Sequence, residues 1–278
     1  MPADTRQAAS TKGASGQGSP GPDVPVIECR GLVKAYGDST ILRGIDLRIE
    51  RGLTHVIVGG SGAGKTVLLR QLIALERPTS GAVLVDGQDI TNLGDVALNQ
   101  LRRKFGMVFQ GAALFDSMSV MDNVAFPLRE HTRLSAKEIR RRVLEKLEIL
   151  GLTGADKKFP AELSGGMRKR VGVARALMLE PAILIYDEPT TGLDPVSSRN
   201  VDDIILEMRD RFGITSVVIT HDMATLFRVA ERASMLYKGR IVLTGTPSEL
   251  LDSSNDVVRH FLRASGVRPE ALQELASE

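Results

Sequence analysis

The stretch that decides the fold is residues 55–66, which read HVIVGGSGAGKT. It opens with a short apolar run typical of a buried strand and continues into the pattern G-x-x-x-x-G-K-[ST], from Gly59 to Thr66. From Lys65 to about Glu76 the apolar residues recur at helical spacing. A strand, a glycine-rich loop and a helix in this order form one unit of an α/β fold.

Residues 59–66, the phosphate loop, have the composition of a phosphate cradle. The glycines permit a tight turn in which successive backbone N–H groups face one concavity, and the following helix adds the positive end of its dipole. Lys65 would bring a mobile charge to the β- and γ-phosphates, and Thr66 a hydroxyl for Mg²⁺. This loop alone does not distinguish kinases, GTPases, helicases and transport ATPases. The residues predicted to bind the nucleotide here are Gly59, Gly60, Ser61, Gly62, Ala63, Gly64, Lys65 and Thr66.

A second apolar strand, residues 182–186, leads directly into Asp187 and Glu188. A strand that ends in two carboxylates is the expected companion of the phosphate loop. Asp187 would hold Mg²⁺, in part through water, and Glu188 would orient or deprotonate the attacking water. The alternative is that the two carboxylates form a solvated turn.

The pentapeptide LSGGM, residues 163–167, precedes a helical run over residues 168–179. Ser164 can cap this helix, and the two glycines leave backbone N–H groups open to a second phosphate. One chain has little use for two such sites on one nucleotide, whereas two chains arranged head to tail would complete each other's site. The alternative is an ordinary capped helix.

The composition narrows the class of protein. Hydrophobic residues make up 42% and charged residues 25% of the 278 residues, which is typical of a globular chain. The 36 Lys and Arg nearly balance the 34 Asp and Glu, so we expect no nucleic acid as a partner. The longest apolar run has five residues, against about 20 for a spanning helix, and no signal peptide is visible. The single Cys29 excludes an internal disulfide, and the four histidines show no metal-ligand spacing.

We divide the chain into three parts. Residues 1–25 contain eleven Gly, Pro or Ser and are predicted to be a flexible tail. Residues 26–248 form the main domain, which includes a helical subdomain at about 112–180. Residues 249–278 are predicted to be a helical tail.

Helical periodicity is clearest in two places. Ser135 and Glu138 match a capping box, and Gly151 a C-terminal stop. The charged residues between them are predicted to form a solvated face. The apolar residues of this helix are Ile139, Val143, Leu147 and Leu150. Those of the C-terminal tail are Val257, Val258, Phe261, Leu262, Leu272 and Leu275.

Taken in order, these segments resemble the ATP-binding-cassette (ABC) family of ATPases over about residues 26–248. The resemblance implies the P-loop NTPase fold of that family, which has a RecA-like core, an antiparallel β subdomain and a helical insertion subdomain. It also implies ATP hydrolysis, with ATP and Mg²⁺ as cofactors. Two copies of the chain would bind the nucleotides between them in a head-to-tail dimer.

The resemblance further implies roles for single residues. Tyr36 would stack on adenine, Gln110 would contact Mg²⁺ and sense the nucleotide, and His221 would contact the γ-phosphate. Taken alone, they would more often be a packed tyrosine, an ordinary loop glutamine and a structural histidine. The implied catalytic residues are Lys65, Glu188 and His221, and the implied metal ligands are Thr66, Gln110 and Asp187. Those implied to reach the opposite chain are Ser164, Gly165, Gly166 and residues 192–194.

Residues 113–132 bear on what is transported. This stretch looks like that of ATPase subunits of Mla-type phospholipid transport systems in Gram-negative envelopes, and Met167, where most of the ABC family has Gln, fits that group. The resemblance implies a permease and a small regulatory subunit near the C-terminal tail as partners. It places the chain at the cytoplasmic face of the inner membrane. Four apolar residues would either seat a permease helix or pack inside the helical subdomain: Leu114, Phe115, Met118 and Met121.

Three alternatives remain open. The first is the ATPase subunit of an importer of amino acids, metals or peptides, which only residues 113–132 separate from the phospholipid prediction. Regulatory or translation-associated members generally carry two cassettes in one chain, whereas this chain has one phosphate loop. A scaffold that never hydrolyses ATP would have little use for both Glu188 and His221.

Overall fold

The computed structural model describes residues 24–266. The predicted flexible tail, residues 1–25, therefore lies almost entirely outside the described residues, and so do Leu272 and Leu275. The strands are β1 (Ile27–Tyr36), β2 (Ser39–Ile49), β3 (Thr54–Val58), β4 (Ser80–Val85), β5 (Gln88–Asp89), β6 (Phe105–Val108), β7 (Ile183–Asp187), β8 (Thr215–Thr220), β9 (Arg232–Tyr237) and β10 (Arg240–Gly245). The α-helices are α1 (Lys65–Leu72), α2 (Asp95–Arg102), α3 (Val120–His131), α4 (Ala136–Ile149), α5 (Gly165–Ala176), α6 (Pro195–Phe212), α7 (Met223–Val229), α8 (Pro247–Leu251) and α9 (Asp256–Ala264).

A six-stranded sheet in the order β10-β9-β3-β8-β7-β6 forms the centre of the molecule. From β9 to β6 neighbouring strands are parallel, and β10 joins β9 antiparallel at the edge. Every residue of β3 and of β8 is buried, as expected for strands covered on both faces. The α/β prediction is confirmed.

The register of this sheet brings strand ends together. Val58 pairs with Thr220, and Asp187 with Ile219. Because the strands are parallel, the segments that follow β3, β6, β7 and β8 all leave from the same edge, where ligands bind in open α/β sheets.

A four-stranded antiparallel sheet in the order β2-β1-β4-β5 packs beside this core. On β2 the apolar residues Ile45, Leu47 and Ile49 are buried while the residues between them are exposed, as their alternation predicts. Their apolar cluster also contains Ile57 and Ile219 of the central sheet. The two sheets thus share one core.

Helices α3, α4 and α5 form the helical region between β6 and β7. In α4 the predicted apolar face is buried, and Gly151 ends the segment in a left-handed conformation. The predicted capping box forms only in part. The amide of Glu138 donates to Ser135 Oγ at 3.3 Å, but the Glu138 carboxylate accepts from Arg141 and Arg142 instead. Two nearby guanidinium groups outcompete one backbone N–H for an exposed carboxylate.

Several helix boundaries differ from the sequence prediction. Helix α1 ends at Leu72 rather than about Glu76, because Ala74 turns the chain with a φ of 52°. Helix α5 begins at Gly165 rather than residue 168, because Ser164 caps it by accepting from the Met167 amide at 3.2 Å. The cap, and not the first long side chain, decides where a helix begins.

Asp202 on α6 is a carboxyl group buried with little compensation. Its side chain lines a cavity and is buried, and its Oδ1 has no hydrogen-bond partner among residues 24–266. The pKa of its carboxyl is raised from a usual value of 3.8 to about 7, mainly by burial and to a smaller extent by the charges of Asp222 and Asp203. A hydrogen bond from Thr225 and the charge of Arg228 act in the opposite direction.

Replacing Asp202 should therefore stabilise the fold at alkaline pH. The unfolded carboxyl ionises above about pH 4 and the folded one only near pH 7, so the folded state loses relative stability across that window. We expect Asp202→Asn to raise the free energy of unfolding at pH 8 by about 2–4 kcal/mol, and the gain to vanish near pH 4. Urea denaturation at both pH values measures this. Asp38→Asn, in the exposed turn between β1 and β2, serves as control and should leave the pH dependence of stability as it is in the unchanged protein. An equal gain at both pH values would contradict the account.

Candidate nucleotide-binding site

A cavity of about 400 Å³ lies at the carboxyl edge of the central sheet. The phosphate loop enters it from β3, Gln110 from the segment after β6, Glu188 from β7 and His221 from β8. The chain thus gathers four predicted segments that are separated by up to 160 residues in the sequence. The lining residues are Gly60, Ser61, Lys65, Gln110, Glu188, Thr191, His221, Phe261 and Ser265.

The phosphate loop requires glycine at particular positions. A Cβ on Gly59 would clash with the carbonyl oxygen of Leu236, and Gly64, which precedes α1, has a φ of 106°. Gly62 is also left-handed, at 73°. The loop therefore keeps its backbone close to the sheet and ends at the N-terminus of α1, where N–H groups favour an anion.

Lys65 carries its charge back over this loop. Its Nζ donates to the carbonyl oxygen of Gly59 at 2.7 Å and to that of Gly60 at 3.2 Å, and lies 3.4 Å from Glu188 Oε1. Its side chain is only 10% exposed. A mostly buried ammonium between the loop and a carboxylate can bind phosphate oxygens.

Glu188 is held from three directions. Its Oε2 lies 2.8 Å from His221 Nδ1 and accepts from the Thr191 hydroxyl at 3.1 Å, while Lys65 is near its Oε1. Its own amide donates to the carbonyl oxygen of Ile219 on the neighbouring strand, and its φ is 48°. A non-glycine residue in the left-handed region is strained, and such strain is common where a side chain must be aimed. The alternative of two carboxylates in a solvated turn does not fit this arrangement.

Asp187 lies at the tip of β7 in a setting that favours a nearby cation. Burial raises the pKa of its carboxyl, and the charge of Glu188 raises it further, although Lys65, Arg70 and Lys169 act against both. A divalent cation would stabilise the ionised form. Gln110 lines the cavity, whereas Thr66 and Asp187 are not among its lining residues, and the roles of all three as metal ligands stay predictions. Within the described residues no cluster of three or more His, Cys, Asp and Glu could hold a metal, so a cation here would depend on phosphate oxygens as well.

Tyr36 lies away from this cavity, at the end of β1. Its side chain is 44% exposed, its hydroxyl donates to Glu76, and the ammonium of Lys34 lies 5.0 Å from its ring. It is therefore not a packed core tyrosine, and its ring is accessible for stacking. The structure of one chain does not bring it into contact with the phosphate loop.

The segment around Ser164 also lies outside the cavity. Ser164 is exposed and caps α5, and Gly165 and Gly166 form the first turn of that helix. Residues 192–194 are also implied to reach the opposite chain. In this segment Asp194 caps α6 by accepting hydrogen bonds from the amides of Val196 and Ser197. These segments remain free to meet another chain, and their implied roles stay predictions.

Sequence reasoning missed three lining residues. No role is predicted for Thr191 from the sequence, yet its hydroxyl donates to Glu188; only its position three residues later in a turn could have indicated this. Phe261 and Ser265 come from α9 and the residue after it, far along the chain. We expected Phe261 to serve the apolar side of the tail, and the sequence carries no signal that α9 returns to the phosphate loop.

Comparisons with known proteins place the chain in a family. The family model described as ABC transporter matches residues 42–191. The chain is 43% identical to a probable ribonucleotide transport ATP-binding protein of Mycobacterium leprae over 91% of this chain and 73% of that protein. It is 39% identical to the intermembrane phospholipid transport system ATP-binding protein MlaF of Haemophilus influenzae, over 88% of this chain and 92% of the relative. It is 41% identical to the methionine import ATP-binding protein MetN of Caulobacter vibrioides, over 82% of this chain and 69% of that protein.

A solved structure agrees in fold. The chain matches a dimeric ATP-binding cassette in a post-hydrolysis state, with ADP and phosphate bound, at a TM-score of 0.73 and 32% identity. The match covers 80% of this chain and 98% of the other. The chain is therefore a member of the ABC transporter family and is the ATP-hydrolysing subunit of such a transporter.

Proposed function

We propose that this ATPase drives phospholipid transport between the membranes of a Gram-negative envelope. The observation that carries the proposal is the 39% identity to MlaF, which extends over 92% of that protein. The residues 113–132 and Met167 add to it. Relatives named for methionine and for ribonucleotides are of similar identity, so an importer of another substrate is the second candidate.

The chemistry we propose is centred on Glu188. Its carboxylate, aimed by Thr191 and His221, orients the attacking water and accepts its proton. Lys65 stabilises the charge on the γ-phosphate, and His221 contacts the same group. Tyr36 stacks on adenine, and the phosphate loop holds the β-phosphate.

We assign Mg²⁺ to Asp187, Thr66 and Gln110, in part through water. When bound, Mg²⁺ neutralises the charge that develops on the phosphate oxygens. Asp187 suits this role because its carboxyl is buried at the strand tip and a cation would offset the cost of ionising it.

The second copy of the chain completes the site. The exposed N-terminus of α5, with Ser164, Gly165 and Gly166, presents unpaired N–H groups to the γ-phosphate held by the partner. Each cassette therefore closes on the other's nucleotide, and hydrolysis releases the pair.

The groove below the segment 110–119 is the proposed seat for the permease. It has a volume of about 400 Å³, and Phe115 and Phe126 pack against each other in its lining with ring centroids 5.0 Å apart. Phe115 is 42% exposed, whereas Leu114 and Met121 are half-buried and pack on the helical core. Leu114 and Met121 thus follow the second of the two expected uses, Phe115 supports the first, and Met118 is half-buried.

Among residues 24–266 no helix is both long and apolar enough to span a bilayer. We propose that the chain reaches the cytoplasmic face of the inner membrane through the permease. A small regulatory subunit near the C-terminal tail belongs to the same proposal.

The proposed role of Glu188 predicts a variant that binds ATP without hydrolysing it. Glu188→Gln keeps the size and an acceptor oxygen but removes the base, so kcat should fall about 100-fold or more. ATP affinity should stay within about threefold, because the phosphate contacts remain. The rate of phosphate release measures kcat, and equilibrium ATP binding measures the affinity. Glu148→Gln, at an exposed position on α4, is the control. Near-normal hydrolysis in Glu188→Gln would remove the proposed base.

The phosphate loop predicts the opposite pattern at Lys65. Lys65→Ala should weaken ATP binding about tenfold or more, since a hydrogen bond to a charged group contributes about 1.5–3 kcal/mol. Titration of ATP into the full chain measures the loss. Lys137→Ala, exposed at the start of α4, should bind ATP normally. Unchanged affinity in Lys65→Ala would count against the site.

The substrate is tested by isolating the complex. Tagged Glu188→Gln protein should, when purified from detergent-solubilised native membranes, bring down a permease, a small soluble subunit and phospholipid. The control is the Lys65→Ala protein, which should retain the permease but not a nucleotide-closed complex. Recovery of a permease together with a periplasmic solute receptor would keep the ATPase chemistry and overturn the lipid assignment.

A further inference from the structure

One face of α5 packs against the turn that begins at Gln110. Lys169, Gly172 and Arg175 are spaced by three residues and so lie along one side of the helix. All three contact the turn formed by residues 110–113. We call these three residues the α5 clamp.

Lys169 supplies the first contact of the clamp. Its Nζ donates to the carbonyl oxygen of Gln110, the residue assigned to sense the metal. Lys169 is buried, which lowers the pKa of its ammonium, while the charges of Asp187 and Glu188 act to keep it protonated. A buried cation has few ways to satisfy its hydrogen bonds, so its contact to Gln110 is costly to lose.

Arg175 supplies the second contact and holds an unusual backbone. Its guanidinium donates to the carbonyl oxygen of Ala112 at 2.9 Å and to that of Ala113 at 2.8 Å. These two alanines have φ values of 61° and 46°, in the left-handed region that non-glycine residues rarely occupy. The two hydrogen bonds from one planar group fix both carbonyls at once.

Gly172 allows the close approach between these two contacts. A Cβ at this position would lie 3.3 Å from the Cβ of Ala112, which is tighter than ordinary packing. The helix backbone therefore lies directly against the turn. Without a side chain at 172, the turn can sit close enough for Arg175 to reach it.

The residues that follow the turn, 115–119, are hydrogen-bonded to the helical region as well. Asn123, which is fully buried on α3, accepts from the amide of Phe115 at 2.8 Å and donates to the carbonyl oxygens of Phe115, Met118 and Ser119. The ring of Phe115 also lies 5.8 Å from the guanidinium of Arg175. From Gln110 to Ser119, the chain is therefore bonded to α3 and α5.

We propose that Lys169 and Arg175 are positioning residues that join the turn 110–113 to α5. Gln110 at the nucleotide and Phe115 at the permease groove then move with α5 as one body. Phe109, which follows β6 and precedes Gln110, connects this body to the central sheet. The proposal rests on the proposed role of Gln110 in sensing the metal, and it adds how a change there reaches the groove.

The test uses a fluorescent reporter in the full chain. The protein has no tryptophan, so Phe115→Trp introduces a single one at the groove. In the Glu188→Gln background, MgATP should change its emission, and ATP with EDTA should not. Lys169→Met and Arg175→Met should each reduce that change about fivefold or more, the scale of a coupling between sites. MgATP affinity should stay within about threefold, which also shows that these variants are folded.

The controls separate the clamp from its surroundings. Arg170→Met removes a neighbouring charge on α5 and should keep the full response. Arg175→Lys keeps the charge but cannot bridge two carbonyls, so its response should be intermediate; it replaces Arg175→Met if that variant does not fold. Gln110→Ala should also abolish the response. If Gln110→Ala responds fully, the sensing role of Gln110 fails, whatever the clamp variants show.

Two results would overturn the clamp itself. One is a full response to MgATP in Lys169→Met and in Arg175→Met or Arg175→Lys. The other is the lack of any response in the reporter with an intact clamp, because the groove would then not follow the nucleotide.

Discussion

The shared carboxyl edge of the parallel strands is the constraint on which the rest of the structure depends. Strands β3, β7 and β8 pair in a register that ends them within one residue of each other, so the phosphate loop, Glu188 and His221 emerge side by side. Burial of these strands on both faces fixes that register, since a slip would disturb the core on both sides of the sheet. The chemistry of the site follows from where the strands stop.

Several charged groups lie close together at this edge of the sheet. Lys65, Asp187, Glu188 and Lys169 lie partly or fully out of water and within reach of one another's fields. In such a setting each group depends on its neighbours, and the strained backbone of Glu188 is maintained by the packing around it. In the proposed function, an arriving polyphosphate and its cation would change this balance directly and so make the edge responsive to the nucleotide.

In the proposed function, the helical region translates that response into motion. The buried faces of α3, α4 and α5 join residues of the central sheet in one apolar cluster, and the surface of the region carries the groove lined by Phe115 and Phe126. The segment 110–119 belongs to this region by its hydrogen bonds, although in the sequence it follows a strand of the central sheet.

The sequence by itself determined the α/β fold, the phosphate loop, the carboxylate pair after β7 and the cap of α5, because each depends on interactions within a few residues. Gly64 indicates a left-handed backbone turn, and Ser164 indicates a helix cap. It did not determine that the Glu138 carboxylate would prefer two arginines to its capping bond, that Thr191 would hold Glu188, or that α9 would bring Phe261 and Ser265 to the nucleotide cavity. Nor did it show that α5 grips the turn after Gln110, 59 residues away at Lys169. These contacts join residues far apart in the chain, so only the packing of the whole core decided them.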